Sequence, residues 1–227
     1  MAEKTIDIAS PILSRNERLA DQLRQRFKET NTYVINVLSS PGSGKTATIL
    51  GTNERLRDKA GLRCAVIEGD IASDVDAITM KEAGMPAIQI NTGGLCHLEG
   101  NMIMEAVDAF DQAVGLENID VIFIENVGNL VCPVDFDLGE NLSIMILSVP
   151  EGDDKPLKYP LMFSICDVVL INKIDAKSVF DFDDDAVVER IKKLNPKAEI
   201  FFISAKTGEG VDAWCDWLRK QVKAWCE

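Results

Sequence analysis

The sequence predicts an α/β protein with the three-layer P-loop NTPase fold, a mostly parallel seven-stranded sheet covered by helices on both faces. Three observations predict it. Short apolar runs alternate along the chain with segments of helical period; the first run leads into a glycine-rich turn, Ser39-Ser40-Pro41-Gly42-Ser43-Gly44-Lys45-Thr46; and Asn172-Lys173-Ile174-Asp175 directly follows a later run.

Ser10-Pro11 reads as a helix start, and Leu19, Leu23 and Phe27 recur four residues apart, giving an amphipathic helix that ends near Asn31. Residues 1–31 are therefore expected to form an N-terminal helix packed on a P-loop domain spanning residues 32–227. Strands are expected at Tyr33–Leu38, Cys64–Ile67, Ala87–Ile90, Val121–Ile124, Ile144–Leu147, Val168–Ile171 and Ile200–Ile203. A helix should begin at Lys45 and close at Gly61, with Asp74 and Asp76 in the first turn of the next. Cys96-His97 is expected to open a helix carrying Met102, Ala106, Val107 and Phe110, and the acidic run Asp181–Asp185 to begin another.

A chain of 227 residues suffices for one sizeable domain, burying roughly 70–75% of its unfolded surface. The formal net charge of −13, from 24 basic and 37 acidic residues, argues against nucleic acid or an anionic membrane as a main partner. No apolar run is long enough to span a bilayer, and residues 1–30 are too charged for a secretory signal, so a cytoplasmic location is expected. The six cysteines lack paired spacing, which makes a disulfide framework a poor reading.

The glycine-rich turn between a strand and a helix points several backbone N–H groups at one anion, with the helix dipole behind them. Pro41, Gly42, Ser43, Gly44, Lys45 and Thr46 are the phosphate-binding residues; Lys45 would bridge the β- and γ-phosphates and the Thr46 hydroxyl would ligate Mg²⁺. Ser39 stands where the motif usually has its first glycine. A carboxylate at Asp175 can accept the ring N–H and exocyclic amine of guanine, and adenine offers no such pair of donors. Asn172, Lys173 and Asp175, with Ser204-Ala205-Lys206 at the next strand end, therefore select GTP over ATP. Glu125 and Gly128 stand where nucleotide switches place a carboxylate near Mg²⁺ and a glycine amide near the γ-phosphate. Asp70 is a further candidate for the magnesium shell; spacing does not decide which of Glu68, Asp70 and Glu125 ligates directly. Lys45, Asp70 and Glu125 are the candidate catalytic set.

Cys96, His97 and Cys132 offer two thiolates and the only imidazole in the chain, donors suited to Zn²⁺ or Ni²⁺. Their spacing is not that of a closed structural site, and a surface histidine beside two thiols is the plain alternative. No arginine occurs between Arg63 and Arg190, so the central chain offers no arginine finger; Lys155 and Lys158 are the available cations, or simply solvated loop lysines. Slow intrinsic hydrolysis is expected unless a second subunit completes the site.

On these motifs, together with Glu68-Gly69-Asp70, Asn91-Thr92-Gly93, Cys96-His97-Leu98, Glu125-Asn126-Val127-Gly128-Asn129-Leu130-Val131-Cys132-Pro133, Asp153 with Lys155-Pro156-Leu157-Lys158-Tyr159-Pro160, and Thr207-Gly208-Glu209-Gly210, the chain resembles the HypB family from about Ile35 to Leu218. These are hydrogenase-maturation, nickel-incorporating GTPases of the SIMIBI class. The resemblance implies a metallochaperone that hydrolyses GTP to GDP, dimerises with GTP bound, and holds nickel or zinc through Cys96, His97 and Cys132 near the dimer interface. It also implies delivery of nickel to the large subunit of [NiFe]-hydrogenase with HypA, a small zinc-binding partner. Some members carry an N-terminal cysteine motif or histidine-rich tract; residues 1–40 here contain neither residue, leaving Cys96, His97 and Cys132 as the expected metal site. A urease-type nickel GTPase would be expected to show Cys-Pro-His where valine follows Pro133, and a P-loop small-molecule kinase would leave the guanine motif unexplained.

Overall fold

The computed structural model describes residues 9–70 and 75–226. Helix α1 (Ala9–Thr30) precedes β1 (Tyr33–Ser39), α2 (Lys45–Ala60), β2 (Cys64–Asp70), α3 (Val75–Glu82), β3 (Ala87–Asn91), α4 (Gly100–Val114), β4 (Val121–Glu125) and β5 (Leu142–Ser148). The short helices α5 (Lys155–Lys158) and α6 (Pro160–Ile165) follow, then β6 (Val168–Asn172), α7 (Asp184–Leu194), β7 (Glu199–Phe202) and α8 (Val211–Cys226). The strands form one seven-stranded sheet in the order β3-β2-β4-β1-β5-β6-β7. Every pairing is parallel, so the sheet is wholly rather than mostly parallel.

That arrangement decides where the site lies. With all strands running one way, every strand's carboxyl end sits on one edge, where ligands gather in open α/β sheets. The loops after β1, β3, β4, β6 and β7 therefore share that edge. Strand β1 is central and buried throughout, because both faces are covered. Tyr33, Ile35 and Val37 pack with Ile49 and Leu56 of α2 and Trp214 and Leu218 of α8. On the other face Val34 joins Leu23 and Phe27 of α1 and Ile103, Val107 and Phe110 of α4. Leu38, Met145 and Leu147 meet Met162 and Phe163 of α6 and Val187 and Ile191 of α7.

Helix α1 also reaches the loops at the sheet edge. Buried Asn16 accepts from the Gly100 amide at 2.7 Å and donates to the Asp137 carbonyl at 2.7 Å, while Arg24 grips both Asp137 carboxylate oxygens at 2.8 Å. Arg26 pairs with Asp108 and Asp111 on α4. The expectation that Cys96-His97 opens a helix is corrected here. Those residues lie in a turn, and α4 starts at Gly100 because Asn16 captures that amide from across the fold. Asp74 lies outside the described residues; Asp76 falls in α3, as expected, without a described side chain.

Candidate functional site

The phosphate loop is shaped by two glycines with left-handed backbone, Gly42 at φ +73° and Gly44 at φ +97°. A methyl group at Gly44 would also sit 2.6 Å from the Asn172 side-chain nitrogen. Asn172 donates to the Ser43 carbonyl at 2.9 Å and accepts from the Ala205 amide at 3.0 Å, and the Lys173 ammonium donates to the Gly42 carbonyl at 2.6 Å. The segment Asn172–Asp175 thus forms one wall of the phosphate loop. The Ser43 hydroxyl is buried without a hydrogen-bond partner, an orphaned donor that an anion in the loop would satisfy. Gly44→Ala is expected to cost about 1–3 kcal/mol of nucleotide affinity or folding stability, through combined strain and clash, read by nucleotide titration beside thermal unfolding.

Ser39 in place of the usual glycine has a clear job. Its hydroxyl accepts from the Lys45 ammonium at 3.1 Å and donates to the Ser40 carbonyl at 2.8 Å, holding the lysine over the loop. Thr46 donates to the Glu125 carboxylate at 3.1 Å. Glu125 is buried at the end of β4, so the hydroxyl and carboxylate expected around Mg²⁺ do converge. Glu68 is buried on the neighbouring strand, with Asp70 closing β2; the Asp70 side chain lies outside the described residues.

Asp175 sits exposed in the turn Ile174–Ala176, and the Ser204 hydroxyl donates to its Oδ1 at 2.6 Å. That bond, with Lys206 and Lys173 nearby, holds the carboxyl below the usual carboxylate range. It is therefore ionised throughout the neutral range and ready to accept paired donors.

The structure brings Cys96, His97 and Cys132 together, one donor atom of each lying within 4.8 Å of the other two. The His97 Nδ1 lies 3.7 Å from the Cys96 sulfur and its Nε2 lies 3.3 Å from Glu99 Oε1. With its proton on Nε2, toward Glu99, the imidazole would turn its Nδ1 lone pair to the Cys96 thiol, the arrangement by which carboxylates orient metal-binding histidines. The imidazole stacks on Phe136 at 3.8 Å between ring centres. Hydrogen bonding to the Cys132 thiol, ahead of burial, pushes the Cys96 thiol up from its ordinary value. Leu98 packs where a Gly69 side chain would stand, since a methyl there would lie 2.8 Å from it, so the loop that carries Cys96 and His97 leaves room at Gly69 only for a glycine.

Lys155 and Lys158 both have partners in their own chain, Glu151 at 3.8 Å and Asp154 at 2.6 Å. Sequence reasoning missed Glu99 and Phe136, and it named Asn129 only within a motif, without its bond to the Cys96 carbonyl at 3.3 Å. Glu99 carried a usable signal, a carboxylate two residues from the histidine; the other two are placed only by the folding of the loop after β4.

Residues 33–202 match the family described as CobW/HypB/UreG, nucleotide-binding domain. The hydrogenase maturation factor HypB of Escherichia coli (strain K12) is 44% identical over 218 residues, covering 96% of this chain and 73% of that protein. The hydrogenase/urease maturation factor HypB of Helicobacter pylori (strain ATCC 700392 / 26695) is 42% identical over 223 residues, covering 98% of this chain and 90% of that one. The crystal structure of HypB from Helicobacter pylori in complex with nickel superposes with a TM-score of 0.87 at 40% identity, over 92% of this chain and 96% of that chain. With the fold, the phosphate loop and the motifs in agreement, this chain belongs to the CobW/HypB/UreG family, among the hydrogenase maturation factors of the HypB type.

Proposed function

We propose that this chain is a GTPase metallochaperone that binds nickel at Cys96, His97 and Cys132 and couples it to hydrolysis of GTP to GDP and phosphate during [NiFe]-hydrogenase maturation. The observation that carries the reading is that a thiol–imidazole cluster shares one sheet edge with a nucleotide site, and that the short segment after Glu125, whose carboxylate accepts from Thr46 of the phosphate loop, leads directly to Cys132. Pro41–Thr46 cradle the phosphates, and Lys45 neutralises charge developing on them. Asn172, Lys173, Asp175, Ser204, Ala205 and Lys206 select guanine. Thr46 and Glu125, with Asp70, would hold Mg²⁺, which supplies electrostatic stabilisation of the phosphates. Zn²⁺ suits the same soft donors as nickel. Helix α1 acts as part of the same domain as residues 32–227. The working setting is the cytoplasm, with a HypA-type zinc protein as nickel partner and the hydrogenase large subunit as client. Among the described residues no helix is long and apolar enough to cross a membrane.

The active form is a GTP-bound homodimer. Leu157 (63% exposed), Leu161 (58%) and Ile165 (40%) recur along α5 and α6, and Val131 (62%) lies beside Cys132. Apolar side chains so disposed fit a second copy better than water. Leu157→Asp with Leu161→Asp is expected to leave the protein monomeric in the presence of a non-hydrolysable GTP analogue, with hydrolysis per chain reduced several-fold. Sedimentation velocity and phosphate release, each over a range of protein concentration, measure this. A dimer that survives the double change, or turnover independent of concentration, removes the dimer from the reading. The function as a whole is tested by steady-state GTP hydrolysis with and without nickel; a protein that releases no phosphate from GTP in either condition would sink it.

A further inference from the structure

Along the inner face of α1, Asn16, Ala20, Leu23 and Phe27 recur at helical spacing, and all four are buried. Asparagine is the odd member. It favours a helix less than leucine does and must find hydrogen-bond partners wherever it is buried, so its place on an apolar stripe needs a cause. Its two bonds supply one: Oδ1 accepts from the Gly100 amide and Nδ2 donates to the Asp137 carbonyl, each at 2.7 Å. Gly100 follows Glu99, whose carboxylate lies 3.3 Å from His97 Nε2. Asp137 follows Phe136, whose ring stacks on the imidazole at 3.8 Å with 21° between the planes.

We infer that Asn16 is a positioning residue for His97, and through that imidazole for nickel at Cys96, His97 and Cys132; the inference rests on the metal site of the proposed function. Both groups that fix the ring stand next in the chain to a residue that Asn16 holds. They come from separate segments, after β3 and after β4, and one buried carboxamide ties the two segments to one helix. The contact is tight: a methyl on Gly100 would stand 3.0 Å from the Leu19 Cβ and 3.2 Å from Asn16 Oδ1, so the start of α4 lies directly against α1. Arg24 also holds Asp137, but by its carboxylate, which leaves the carbonyl beside Phe136 to Asn16. Loosening the partners that orient a metal-binding histidine typically costs about 10–100-fold in affinity.

Two variants test the two bonds. Asn16→Leu keeps the branched shape of the side chain and removes both; Asn16→Asp keeps the acceptor for Gly100 and loses the donor to Asp137. The first readout needs no metal. His97 is the only histidine in the chain, and the Phe136 ring beneath it shifts its ring protons upfield. In the metal-free protein that ring-current shift should shrink in both variants. Nickel titration by competition with a chromophoric chelator, with thiolate-to-nickel charge-transfer absorption recorded alongside, should show binding about tenfold or more weaker in Asn16→Leu, with an altered band. Asn16→Asp should show a smaller loss, although its added charge would by itself attract the cation. Affinity for GDP without nickel should match wild type in both, because neither bond touches the phosphate loop or Asn172–Asp175. Unchanged His97 resonances or wild-type nickel affinity in either variant overturns the assignment, as does a loss of nickel affinity matched by an equal loss for GDP, the mark of a general loosening. If Asn16→Leu does not fold, Asn16→Asp decides by the same readouts. Cys132→Ala must abolish the charge-transfer band; a band that persists overturns the metal site itself, and the nickel role of Asn16 with it.

Discussion

Asp175→Asn is expected to weaken GTP binding by about two to three orders of magnitude and to open the site to xanthosine triphosphate. The Ser204 hydroxyl donates to Oδ1, so in the variant the amide oxygen stays at Oδ1 and the amide nitrogen takes the other position. A donor then faces guanine's exocyclic amine, also a donor, where xanthine presents an oxygen. Two hydrogen bonds to a charged group at ~1.5–3 kcal/mol each, partly retained through the remaining acceptor, give a loss of about 3–4 kcal/mol. Isothermal titration with both triphosphates measures the exchange. Unchanged GTP affinity would mean that Asp175 is no more than a turn residue. Because its pKa is depressed, the wild-type preference should hold as pH falls through the ordinary carboxylate range and fade only below it.

Cys96→Ala and Cys132→Ala are each expected to reduce nickel binding at the cluster at least about a hundredfold, ~2.8 kcal/mol at 1.4 kcal/mol per decade. Three ligands leave no redundancy. Equilibrium dialysis with metal analysis gives the stoichiometry. His97 is the only histidine in the chain, so its ring protons are an unambiguous magnetic-resonance reporter of occupancy. Thiols must lose their protons to bind, and Cys96 is held above its ordinary value, so affinity should rise with pH across the neutral range. Full nickel stoichiometry in both variants would remove the site.

The motifs readable from sequence are those whose chemistry is local. Gly42, Gly44, Lys45 and Thr46 act within a single turn, and Asn172–Asp175 within another; only the contact between the turns required the fold. The strands were legible because a sheet covered on both faces makes them continuous apolar runs, as at Val121–Glu125. The start of α4 was not, because Glu99 makes no side-chain cap and the decisive partner, Asn16, is 84 residues away. Phe136 under His97 has no local signal at all; its place depends on how the loop after β4 folds back. The place of Glu125 on the ligand edge was readable from its strand end, whereas its bond to Thr46 required β4 to lie beside β1.

The wall shared by Gly44 and Asn172 bears on how this protein can change over evolutionary time or in the laboratory. Asn172 fills the space that a side chain at Gly44 would need and holds the loop's Ser43 carbonyl, so neither position can vary alone. Substitutions at the two should be strongly non-additive. New base preferences are therefore accessible through Asp175, on the exposed side of the turn, and closed off at Asn172, where altering the base reader also dismantles the phosphate cradle.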